Sequence, residues 1–248
     1  MLFRRIIFSA ILIGIFSGAI LSTIQIIAVT PILLAAEAYE VADKAMPSGH
    51  QHHQPKEWAP QEGFERTGYT VMANILAAIG FASFILVLLS HLKSRQLIEL
   101  NIKSGLLCGL GCYLVFFVIP SLGLPPEIPG SKSDALQHRQ SWWLLTAIAS
   151  ALGLLILAFS PLKYKLLGII SLAVPFIVGA PHLDGPDFTH PDPEAVNALI
   201  NLHHEFIVAT SISSFIFWLI LAASSLWLLK TWVYKPVNTE NNTINANK

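Results

Sequence analysis

Six long apolar blocks, separated by polar segments, dominate this chain of 248 residues. About 20 consecutive apolar residues in helical form cross the hydrocarbon core of a bilayer, and the blocks approach or exceed that length. Hydrophobic residues make up 54% of the chain and charged residues only 12%, about half the charged fraction of an ordinary soluble domain. We therefore predict an all-α integral membrane protein, a helical bundle of about six transmembrane helices. The predicted spans are residues 6–34, 69–91, 104–120, 141–159, 166–180 and 206–229.

Three of these blocks are atypical in length or composition. Residues 104–120 and 166–180 are short for a crossing, and Pro175 predicts a kink in the second of them. The first block follows two arginines, as a signal peptide would, but its apolar run exceeds the roughly 7–15 residues of a signal, which favours a retained helix. We predict one transmembrane domain over residues 1–235 and a polar cytoplasmic tail over 236–248.

The positions of the charged residues predict the orientation. With the N-terminus in the cytoplasm, ten of the 15 lysines and arginines lie in inner segments and five in the longer outer loops, which is the positive-inside pattern. Six spans then leave both termini cytoplasmic. Eight of the 9 histidines and thirteen of the 15 acids face outward on this topology. Acids contribute little to orientation, and the length of the outer loops explains the acids better than the histidines, so we interpret this asymmetry as functional.

The first outer loop holds three histidines within four residues, His50, His52 and His53. Neutral imidazoles bind borderline divalent metals, and a short histidine-rich tract is typical of metal contact. The alternative is a solvated loop that happens to contain histidines. Farther along the loop, Glu65 and Arg66 are expected to pair locally or to cap the next helix.

The second outer loop is made rigid by prolines around Glu127. Glu127 is either a carboxylate that faces a vestibule or the ion-pair partner of Arg139, for which Asp134 is the other candidate.

The third outer loop, residues 179–194, contains His182, His190 and four acids but no lysine or arginine. Unbalanced acids produce a negative field that concentrates cations.

The last span opens with His203, His204 and Glu205. Neighbouring helical residues diverge by about 100°, so the two histidines cannot share a face and one is expected to point inward. If that residue is His203, its stripe continues through Thr210 and Ser214. Such hydroxyls serve either helix packing or a polar path for a cation.

Several functional classes are not indicated by the sequence. No acidic or basic residue lies well inside a span, which argues against a proton pump, and Asn74 is the most polar residue at depth. Cys108 and Cys112 are explained by helix packing more simply than by soft-metal ligation. No phosphate-binding loop or hydrolase motif occurs, so we expect neither an enzyme nor a resident cofactor. A net charge of zero gives no reason to expect nucleic acid.

Several motifs together resemble the CbtA family of predicted cobalt transporter subunits over nearly the whole chain. The resemblance implies a bacterial inner-membrane protein that takes up Co²⁺ for cobalamin synthesis, with a small single-span, histidine-bearing partner subunit. The family is usually described with about five spans, which cleavage of the first block would reconcile with six. The motifs are the histidine-rich loop, Trp58-Ala59-Pro60, Gly63-Phe64-Glu65-Arg66-Thr67, Gly123-Leu124-Pro125-Pro126-Glu127-Ile128-Pro129-Gly130, Arg139-Gln140-Ser141-Trp142-Trp143, Gly179-Ala180-Pro181-His182 and His203-His204-Glu205-Phe206.

The resulting hypothesis is a permease subunit for divalent metal uptake with an outward-facing vestibule of histidines and carboxylates. Imidazole suits Co²⁺, Ni²⁺ and Zn²⁺ alike, so the ligands do not choose the ion. The alternative is a non-transporting metal-binding or sensory membrane subunit that tethers a partner. The expected ligands are His182, His203, His204 and Glu205, then Glu127 and His190, with His50, His52 and His53 as a loose antenna.

Overall fold

The computed structural model describes residues 2–44, 60–61, 63–183 and 185–234, and within them every regular element is a helix. Five helices are long and apolar enough to cross a bilayer, which confirms the predicted all-α membrane fold. They span Phe3–Ala28, Phe64–Ser94, Ile102–Ser121, Leu136–Phe159 and Pro193–Val233. The predicted polar tail and the histidine-rich loop lie outside the described residues.

We number the helices in chain order. They are α1 Leu2–Ala28, α2 Thr30–Lys44, α3 Phe64–Ser94, α4 Ile102–Tyr113, α5 Ile119–Ser121, α6 Leu136–Phe159, α7 Lys165–Val178 and α8 Pro193–Leu228. A π-helical turn, Leu114–Val118, joins α4 to α5, and another, Leu229–Val233, extends α8. A 3₁₀ turn, Leu162–Tyr164, precedes α7.

The first predicted span, residues 6–34, is two helices rather than one. α1 ends at Ala28, and α2 begins at Thr30 with Pro31 in its first turn. Proline has no N–H to donate to the carbonyl of Ile27, and its ring crowds that carbonyl, so a continuous helix is interrupted here. The chain therefore changes helix at Val29, and α2 continues beyond the span toward the first loop.

The predicted span at 166–180 is shorter than a crossing. α7 has 14 residues, which is about 21 Å of helix against a hydrocarbon core of about 30 Å. Pro175 lies in its last turn, and Gly179 ends it with φ 85°. The indole of Trp142 donates to the Pro175 carbonyl at 3.1 Å, so α7 returns alongside α6. Five of the described helices are therefore long enough to cross the bilayer, and α7 is not one of them.

The last helix begins earlier than the predicted span 206–229. The Asp192 side chain accepts from the backbone N–H of Glu194 at 2.9 Å, and Pro193 occupies the first turn. α8 then runs for 36 residues, about 54 Å, which exceeds the thickness of the bilayer core. Its first half projects beyond the span. It packs against α2 and the loops in a cluster that we call the outer core: Val29, Ala36, Ile128, Phe188, Leu199 and Phe206.

The beginning of α1 and the end of α8 lie at the same end of the bundle. The guanidinium of Arg5 donates to the Trp232 carbonyl at 3.2 Å, and the Lys93 ammonium lies 3.7 Å from the centre of the Tyr234 ring. We call this the inner end and the opposite one the outer end, after the orientation that the sequence predicts.

The contact between α1 and α3 is the closest in the bundle core. Gly14 and Gly18 face α3, where a Cβ atom at either position would lie 2.6 Å from the Cα of Ile79 or Ile75. Glycines four residues apart let two helical backbones approach where a side chain would separate them. Just above, the Asn74 amide donates to Ser22 Oγ at 3.1 Å and to Gln25 Oε1 at 2.7 Å.

Replacing Gly18 by valine should destabilise the protein, because the new side chain forces α1 away from Ile75. We expect a loss of about 1–3 kcal/mol in the free energy of unfolding, the usual cost of overpacking, measured by denaturation in detergent. Gly80→Val is the matched control, since a Cβ there meets nothing within 4 Å. Equal stability of the two variants would contradict the prediction.

Candidate functional site

The second and third outer loops form one layer at the outer end of the bundle. The backbone N–H of Lys132 donates to the Asp187 carbonyl at 2.8 Å, and Ser131 pairs with Phe188 as an antiparallel bridge. Ile128 and Phe188 are buried in the outer core. Loops that the sequence shows as separate are therefore held together, over the first half of α8.

His203 is the histidine that points into this layer. Its Nε2 lies 3.0 Å from the carbonyl oxygen of Pro126, and its ring meets that of Phe188 edge-on with centroids 5.6 Å apart. A carbonyl can only accept, so Nε2 carries the proton and a neutral His203 has its lone pair on Nδ1. A metal-ligating histidine is usually oriented in this way, by a hydrogen bond from its second ring nitrogen to a carbonyl or carboxylate.

His204 and Glu205 turn away from that layer and border a different surface. Together with Ile24 and Ala28 they line an open groove of about 510 Å³ between α1 and α8. His203 thus faces the outer loops, whereas His204 borders the groove between α1 and α8.

Glu127 is paired with Arg139 at 2.6 Å, so the ion-pair interpretation describes its position in this structure. Both side chains are about three-quarters buried, and the pair ties the second outer loop to the first turn of α6. The other candidate for Arg139, Asp134, accepts from the Ala135 N–H at 2.6 Å and lies 3.3 Å from His138 Nδ1. The hydrogen bond from the Ala135 backbone, then that from His138, lowers the pKa of Asp134.

His190 lies beside the start of α8, where its ring is already engaged. Nδ1 accepts from the backbone N–H of Asp192 at 3.0 Å, which leaves the proton on Nε2. That Nε2 is buried and has no hydrogen-bond partner among the described residues. A metal-ligand role for His190 stays a prediction, and it requires release of the Asp192 bond.

The remaining predicted ligands are His182 and the three histidines of the first outer loop. His182 lies in the segment after α7. His50, His52 and His53 lie outside the described residues. Within the part of the chain that the structure describes, no three His, Cys, Asp or Glu side chains are grouped to hold one metal ion.

The sequence interpretation also missed an ion pair between α2 and α3. Arg66 donates from Nη1 to Glu37 Oε2 at 2.8 Å and from Nη2 to Oε1 at 2.5 Å. Of the two expected arrangements of Glu65 and Arg66, a local pair or a cap, the structure has the cap. Glu65 accepts from the backbone N–H of Gln61, as a cap does. The hydrogen bonds from Arg66 outweigh the desolvation of Glu37 and lower its pKa. A Glu–Arg pair 29 residues apart has no signal in local spacing.

Comparison with known protein families decides the identity of the chain. Residues 3–230 match the model of the family described as probable cobalt transporter subunit (CbtA). The chain belongs to this family. The resemblance seen in the sequence is thereby confirmed, and the chain is a multi-pass membrane component of a metal transporter. No curated protein and no solved structure matches it.

Removal of the Glu127 carboxylate should loosen the outer layer, because Arg139 would be left mostly buried without its charged partner. We expect Glu127→Gln to lower the free energy of unfolding by about 1–3 kcal/mol in detergent, with less loss when Arg139→Gln is already present. Glu205→Gln, at an exposed carboxylate, is the matched control. Identical losses in the two single variants would show that the ion pair is not stabilising.

Proposed function

We propose that this chain is the permease subunit of a divalent metal uptake system of the bacterial inner membrane, with Co²⁺ as its cargo. Membership in a family of probable cobalt transporter subunits supports the transport role, and five membrane-length helices provide the body of a permease. The choice of Co²⁺ over Ni²⁺ or Zn²⁺ rests on the family alone, because imidazole ligands suit all three.

The observation that carries the proposal is the geometry of His203. The Pro126 carbonyl holds Nε2–H, so the ring is oriented and Nδ1 is the nitrogen that binds the ion. His203 lies at the outer end of α8, directly above the residues that continue into the bundle. In this proposal it is the first ordered ligand that the ion meets.

The outer acids and the other histidines concentrate the ion rather than hold it tightly. The described third loop has carboxylates at Asp187 and Asp192 and no basic residue of its own, so its field favours cations. His182, His204 and Glu205 are proposed to meet the hydrated ion before it reaches His203. His50, His52 and His53 are proposed to serve as an antenna, and a small single-span, histidine-bearing protein to deliver or accept the ion as partner.

Replacing His203 by alanine should reduce cobalt accumulation by about tenfold or more at limiting external Co²⁺, with a smaller effect at saturating Co²⁺. The measurement is radioactive Co²⁺ uptake by cells that express the complete system and equal amounts of each variant. His138→Ala is the control, because His138 is exposed and its side chain pairs with Asp134 within its own helical turn. Unchanged uptake by His203→Ala at limiting Co²⁺ would refute the assigned ligand.

The alternative function is a metal-binding or sensory membrane subunit that tethers a partner. One observation favours it: residues 71–90 of α3 and 206–229 of α8 and its extension contain no acidic or basic side chain of the kind that usually marks an ion path through a membrane. Liposomes that hold the chain with and without its partner separate the two functions. Co²⁺ flux in either preparation supports the permease, whereas binding without flux supports the tether.

A further inference from the structure

A cavity of about 390 Å³ lies just below the outer layer, between the α1–α2 break, the first turns of α3, and α8. None of the ligands predicted from the sequence lines it. Six of its lining residues have polar side chains: Gln25, Thr30, Arg66, Thr67, Thr70 and Thr210. The other lining residues are apolar or glycine, so the polar groups occupy one part of the wall.

The hydroxyls of this cavity are arranged as acceptors. Thr70 Oγ1 donates its proton to the Arg66 carbonyl at 3.0 Å, and Thr210 Oγ1 donates to the Phe206 carbonyl at 2.6 Å. A hydroxyl whose proton is committed to its own helix presents only oxygen lone pairs to a ligand. Lone pairs attract a cation and repel an anion, so these two hydroxyls favour a positive ion with its remaining water.

The amide network continues this lining into the span. Gln25 borders the cavity, and its Oε1 accepts from Asn74 Nδ2, which also donates to the buried Ser22 hydroxyl. Helix packing alone could account for one such bond. The network connects directly to the cavity wall, however, so oxygen and amide groups extend from the cavity toward the middle of α1.

The helix break belongs to the same feature. Val29, between α1 and α2, and Thr30, the first residue of α2, line the cavity. Irregular backbone at membrane depth is tolerated where it is buried in protein or borders an aqueous cavity, and interrupted helices are where transporters commonly bind their ions.

The positive charge of Arg66 at the rim has a carboxylate partner. Arg66 lines the cavity, and alone it would repel a cation. Glu37 accepts two hydrogen bonds from this guanidinium, and they lower the Glu37 pKa, so the carboxylate stays ionised at neutral pH and cancels the charge.

One lining residue of the cavity, Thr210, also lies on the same face of α8 as the outer ligand. Thr210 follows His203 by seven residues, so it lies on the same face of α8 and about 10 Å farther along. Phe206, between them, lines the cavity and packs in the outer core with Phe188, the residue whose ring meets that of His203.

We infer that this cavity is a second site on the transport path, where a partly hydrated divalent cation is held by hydroxyl and amide oxygens after it leaves His203. The inference rests on the proposed function, since it assigns a route to the same cargo. It adds to the proposed function the location of the site, between α1, α3 and α8, and the type of ligand there, which is oxygen.

Cysteine accessibility tests the place. In a chain with Cys108→Ala and Cys112→Ala that retains uptake, Thr70→Cys and Thr210→Cys are each treated with a water-soluble, positively charged methanethiosulfonate. We expect modification to abolish Co²⁺ uptake and Co²⁺ to slow the modification. Thr23→Cys is the matched control, because Thr23 is an exposed residue of α1 with the same hydroxyl-to-carbonyl bond.

The outcomes distinguish a failure of this inference from a failure of the proposed permease function. Active variants whose uptake survives modification, or whose modification is not slowed by Co²⁺, would overturn the cavity as a site. Absence of Co²⁺ flux in the unmodified parent reconstituted with its partner would instead refute the permease.

A charge exchange tests the rim. Glu37→Gln should lower uptake, because it removes the negative charge that Glu37 places beside the Arg66 guanidinium. The double variant Glu37→Gln/Arg66→Gln restores neutrality and should recover uptake relative to Glu37→Gln. A double variant as impaired as the single one, at equal expression, would show that the pair acts through structure rather than charge.

Discussion

The close approach of α1 to α3 is the contact on which the outer half of this protein depends. Gly14 and Gly18 remove the side chains that would keep the helices apart, and this sets the register of everything above them. Asn74 can reach both Ser22 and Gln25 only in that register. Beyond the break at Val29, the Glu37–Arg66 pair joins α2 to the first turn of α3. The polar cavity lies between these two tie points, so its shape is a consequence of the glycine contact below it.

The helical class was predictable because apolar length is a strong signal, but helix ends depend on local chemistry that the apolar blocks conceal. Pro31 lies inside the first block, and its missing N–H is the physical reason that this block forms two helices. Asp192 and Pro193 likewise form a recognisable helix start, an acidic cap followed by a proline at the first position, which places the start of α8 well outside the apolar run. α7 fell short because Pro175 and Gly179 end it.

The sequence predicts the negative charge of the candidate site and its position on the outer side of the membrane. It does not predict which residues pair with each other there. The excess of outward acids and histidines is a matter of composition, so the sequence alone indicates a surface that attracts cations. Which groups remain available is decided by contacts across long separations. Pro126 and His203 are 77 residues apart, and their bond exists because a proline-rich loop is folded over α8. Glu127 had two open interpretations in the sequence, and only the position of α6 could bring Arg139 to it.

The proposed transport path, unlike a storage site, does not require clustered ligands. An ion that must leave again cannot be held by a complete set of imidazoles and carboxylates, because conduction requires binding strong enough for entry and weak enough for release. In this proposal the outer layer offers the oriented imidazole of His203, and the cavity below offers the hydroxyl oxygens of Thr70 and Thr210. Imidazole replaces the first waters of a transition-metal ion, and neutral oxygens then bind it more weakly. On the proposed route, an ion that passes from His203 to the cavity therefore moves from a stronger ligand to weaker ones, and a source of energy or a partner on the inner side must supply the direction.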